Sequence, residues 1–136
     1  MNPLVRQLAG AYREEEELYQ QIVALVERQC RAIGTERDPA QVLDLCRQVE
    51  EMMARVEAVE QAIEPAKREW EKTRQDPGGE LDAVLGSVLA LIDRVALLQQ
   101  TVQQSLIDYV KAQRQVTEGA QAAVSAGKAR KLYRAG

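Results

Sequence analysis

Val42, Val49, Val56, Ile63 and Trp70 stand seven residues apart, and Leu45, Met52, Val59 and Ala66 keep the same interval beside them. Two apolar columns at seven-residue spacing form one seam along a helix, and a seam held over four heptads calls for a partner helix. This segment is expected to be helical from about 39 to 75, with Trp70 as a packed seam residue. Asp38 supplies an N-cap and Pro39 the first helical position, where a missing N–H costs nothing. Pro65 breaks the rule, since an interior proline loses a backbone bond and costs about 3 kcal/mol. It lies off the seam and reads as a kink; a true break at 64–66 is the alternative.

The flanking segments repeat the pattern. Val5, Tyr12, Tyr19, Val26 and Ile33 recur every seven residues, beside Leu4, Ala11, Leu18 and Leu25, with Leu8 and Ile22 widening the stripe. A first helix over about 3–33 follows, stopped by Gly34. Glu15 and Gln29 interrupt its stripe and read as rim or register residues. After the turn 76-DPGG-79, Leu81, Val88, Val95, Val102, Tyr109 and Val116 mark a third helix over about 80–116 or beyond. Short connections make successive helices antiparallel neighbours. The fold class is therefore all-α: an elongated antiparallel three-helix bundle or coiled coil over 1–116.

A second helix of about 37 residues spans roughly 55 Å at 1.5 Å per residue. A third helix doubling back from residue 80 matches that length near Val116, where its large apolar residues stop. Beyond lies 117-TEGAQAAVSAGKARKLYRAG-136. Gly119 and Gly127 each oppose helix by about 1 kcal/mol, and the large residues are sparse. Residues 117–136 are thus expected to be a mobile C-terminal interaction tail. The third helix also carries apolar residues off its stripe, Leu89 and Leu97. Either it is central and touches two neighbours, or part of it forms a dimer or partner groove.

Charge divides along the chain. Residues 1–76 carry 11 basic and 16 acidic side chains, net -5, whereas residues 77–136 carry 7 and 5, net +2. The whole-chain net of -3 argues against general nucleic-acid binding, which needs a basic face. Asp82, Asp93 and Arg94 interrupt the most apolar stretch, 81–98, so membrane insertion is not expected. The opening MNPLVRQLAGAYREEEE turns acidic at once and does not read as a signal peptide. Cys30 and Cys46 stand singly in helical patterns, as reduced core cysteines of a cytoplasmic protein would.

Catalytic chemistry has little to work with. The chain has no histidine, hence no imidazole base, no Ser-His or Cys-His pair and no imidazole metal ligand. Two isolated cysteines do not make a zinc site, and the glycines match no phosphate-binding loop. Glu14 to Glu17 turn around a full helical circumference and read as a solvated face. The expectation is a non-enzyme without cofactor or metal.

With these segments in place, the chain resembles the FlgN-type flagellar export chaperones. The likeness rests on the long first helix, on 38-DPAQVLDLCRQVEEMMARVEAVE-60, on 96-ALLQQTVQQSL-106 and on the closing 131-KLYRAG-136. It spans nearly the whole chain, and only the closing segment is motif-like. Where family members often place an asparagine before the Leu-Leu pair of the third helix, this chain has Asp93 and Arg94. The resemblance implies a cytoplasmic chaperone that holds hook-filament junction (hook-associated) proteins before type III secretion. Cargo, through its C-terminal helices, would meet Val102, Leu106, Tyr109, Val110 and Val116. An export-gate component would meet Leu132 and Tyr133. The alternatives are a chaperone of another secretion substrate, such as the filament cap, and a coiled-coil scaffold or homodimer.

Overall fold

The computed structural model describes the backbone of residues 2–135 and the side chains of residues 2–121. The described chain is all-α: α1 (Pro3–Gly34), α2 (Pro39–Glu71) and α3 (Glu80–Ala135). Local chemistry accounts for the ends. The Asn2 side chain accepts from the Leu4 N–H at 2.9 Å ahead of Pro3, capping α1. Asp38 does the same for α2, accepting from the Gln41 N–H at 3.2 Å ahead of Pro39. Between them the Thr35 and Glu36 N–H groups both close on the Arg31 carbonyl, and Arg37 turns the chain at φ 53.

α2 runs unbroken through Pro65, which excludes a break at 64–66. Pro65 and Gln61 are both exposed, so the Gln61 carbonyl that proline deprives of its donor faces water. The helix nevertheless stops at Glu71, four residues before the expected end at 75. The Thr73 and Arg74 N–H groups both bond to the Trp70 carbonyl, and Arg74 enters the left-handed region at φ 53. Trp70 belongs to this turn. It is half-exposed, and its indole N–H donates to the Gln75 carbonyl at 3.0 Å, so the expected core position is not realised. Asp76 then caps α3 from a distance: its carboxylate accepts from the N–H groups of Leu81 at 3.2 Å and Asp82 at 2.9 Å. Gly79, at φ 66, makes the bend that brings those N–H groups round.

Packing is organised by α1. It buries thirteen residues, against six on α2, and contacts both other helices. α3 is therefore not the central helix. It buries Leu81, Val84, Val88, Val95 and Val102 along one narrow stripe, leaving Leu89 60% and Leu97 66% exposed.

Polar contacts give the register. Gln29 meets Cys46 and Glu15 meets Glu60, an antiparallel pairing that carries α2 back along the whole of α1. α3 runs parallel to α1: Arg13 pairs with Glu80, Glu27 with Arg94 at 3.1 Å, and the Cys30 thiol approaches the Leu98 carbonyl at 3.8 Å. These partners lie 67, 67 and 68 residues apart in the chain. The connection at 72–79 thus carries the chain up to the level of Arg13 before α3 begins, and α1 ends, at Gly34, level with about residue 102. The first compact unit is Met1–Val102. The second unit is Gln103–Gly136. No helix boundary falls at Val116, because α3 crosses it and Gly119.

Candidate functional site

In the second unit Leu106, Tyr109, Val110, Gln113, Val116 and Thr117 follow the spacing i, i+3, i+4, i+7, i+10 and i+11, one face of α3. Leu106 and Tyr109 are half-buried, while Val110 is 46% and Val116 70% exposed. Tyr109, Val110, Gln113, Arg114, Thr117 and Glu118 border an open, shallow concavity along the helix. Charge there is balanced: Asp108, which accepts from the Gln104 amide at 3.0 Å, and Glu118 offset Lys111 and Arg114. Such a face can take an amphipathic helix through apolar contact, with the charged side chains at its edges.

Of the expected cargo residues, Leu106, Tyr109, Val110 and Val116 fall on this face together. Val102 does not. It is buried in the first unit, where it closes the stripe of α3 that packs on α1, so it offers no surface to a partner. Leu132 and Tyr133, the expected export-gate residues, lie outside the described side chains.

Glu15 and Gln29, read from the sequence as rim or register residues, are not at the rim; they are buried where α2 packs on α1. Glu15 is 2% and Gln29 4% exposed. They belong to the column Leu8, Glu15, Ile22, Gln29, which points between the helices at every seventh residue. Gln29 is satisfied: its amide donates to the Val42 carbonyl at 3.3 Å and to the Cys46 sulfur at 2.9 Å. Glu15 hydrogen-bonds with Glu60, and its Oε2 finds no donor among the described residues. Burial first, then the Glu60 hydrogen bond and charge, push its carboxyl from 4.5 up to about 8. Burial also raises its neighbour Tyr12 to about 12, with help from Glu60 and Glu15, and raises Tyr19. The signal in the sequence was the strict heptad position of both polar residues.

The cysteines are free and half-buried, and burial raises the Cys30 thiol. Among the described residues, no group of three or more His, Cys, Asp or Glu is placed to hold a metal ion. Among them too, no helix is long and apolar enough to cross a membrane. Compared with family models, with curated proteins and with solved structures, the chain matches none.

Proposed function

We propose that this protein is a chaperone of the FlgN type, without catalytic chemistry, that holds an amphipathic helix of a hook-associated protein for type III export in the cytoplasm. The observation that carries the reading is the apolar face of α3 beyond Val102. Leu106, Tyr109, Val110 and Val116 keep helical spacing along one face of the second unit. A chaperone that masks an assembly helix needs such a face, since burying the partner's apolar stripe is what delays its polymerisation. In the same reading Leu132 and Tyr133 meet the export gate.

Binding of fluorescent C-terminal peptides from hook-associated proteins tests it. Val110→Asp and Val116→Asp change exposed positions, so they should leave the helical signal intact and weaken binding at least tenfold. Unchanged binding by both would defeat the reading. Leu89 and Leu97 favour a second one, a coiled-coil homodimer or scaffold, because they leave apolar surface on the first unit too. Sedimentation of the free protein separates the two: a tight dimer weakened by Leu89→Lys and Leu97→Lys, with no peptide binding, supports the scaffold.

A further inference from the structure

Glu15 and Glu60 face each other across the α1–α2 seam, and two ionised carboxylates offer only acceptors to one another. With Glu15 ionised, its buried Oε2 has no donor. With Glu15 protonated, the acid becomes the donor and Glu60 the acceptor. We propose that Glu15 and Glu60 share a single proton across this seam, and that its loss loosens the first unit, making the pair a pH-sensitive latch between α1 and α2.

The surroundings assign the proton to Glu15. Glu60 is partly exposed and has the Lys67 ammonium 3.9 Å away. Glu15 is almost wholly dry. On α1 its neighbours are Tyr12, Tyr19 and Glu14; on α2 they are Glu60 and Lys67, with Glu64 acting on the adjacent Tyr12. The charged groups of α3 at this level are Glu80, already paired with Arg13, and the exposed Asp82. Lys67 is the one cation among the groups that act on Glu15, and the carboxylates around it oppose a second negative charge. An ionised carboxylate held in such a place without a donor drives the helices apart to reach water.

The direction follows from linkage. The folded state keeps the Glu15 proton from 4.5 up to about 8, where the unfolded chain has released it. Folding therefore takes up a proton in that interval, and stability falls as pH rises through it. For one proton the folded-to-unfolded ratio drops by close to tenfold per pH unit. The absence of histidine leaves this interval unusually clear.

Urea unfolding of the full chain at steps from pH 5.5 to 9 tests the latch, with Glu15→Gln as the comparison. The glutamine amide still donates to Glu60 and cannot ionise. The wild type should weaken steadily over this range, while Glu15→Gln stays nearly flat and exceeds the wild type at pH 9. Parallel curves for the two proteins would overturn the proposal. Should Glu15→Gln not fold, carboxyl carbon resonances of the wild type decide. One midpoint above 7 is expected, coupled to a shift of the Glu60 signal; all midpoints below 6 would refute it.

Discussion

Tyr12 stands beside the carboxyl pair, buried, with its phenol raised from 10.0 to about 12. The folded protein holds this proton after the unfolded chain has lost it, so the contribution is intact below pH 10 and is lost as pH climbs through 12. Tyr12→Phe has nothing to ionise, and its melting temperature should fall less than that of the wild type between pH 10 and 11.5. An equal fall in both would show that the tyrosine is not responsible. Trp70 makes the opposite case at the same scale. Its heptad position promised a packed core residue, yet it is half-exposed and ties down the loop through Gln75. Trp70→Ala should cost about 1–2 kcal/mol in chemical denaturation, below the 3–5 kcal/mol of a buried tryptophan.

Among elements, the helix ends carry most of the information. Arg37 and Arg74 both hold φ 53, where a side chain costs about 1–2 kcal/mol that glycine avoids. Glycine adds entropy to the unfolded chain, so Arg37→Gly and Arg74→Gly should each stabilise by about 0.5–1 kcal/mol; destabilisation by either would mean that its side chain holds the turn. Within α2, Pro65 is exposed, while Ile63 and Ala66 on either side of it are buried. Pro65→Ala restores the bond to the Gln61 carbonyl and should raise the unfolding free energy by about 1–3 kcal/mol. No gain there would show that the helix has already adapted to the proline.

For the whole molecule, the parallel register of α1 and α3 sets the extent of the first unit. Residues 1–102 contain every buried residue among those described. A chain ending after Val102 should therefore melt within a few degrees of the full protein while losing peptide binding. A loss of several kcal/mol on this truncation would show that α3 beyond Val102 supports the fold.

The helical architecture, the cap at Asp38 and the core columns were legible in the sequence, because a seven-residue period and a cap depend on neighbours within one or two turns; the cap at Asn2 appears only in the structure. The reach of α3 along α1 was not. Counting residues from 80 placed its end against Val116, since nothing local tells how far the 72–79 connection climbs; the pairs Arg13–Glu80 and Glu27–Arg94 decide that across 67 residues. The same limit applies to Glu15. Its period marked it as a core position and its chemistry as a rim residue, and the two could be weighed only where α2 brings Glu60 against it. Periodicity determines which residues face a partner, and the tertiary register alone determines which partner they face.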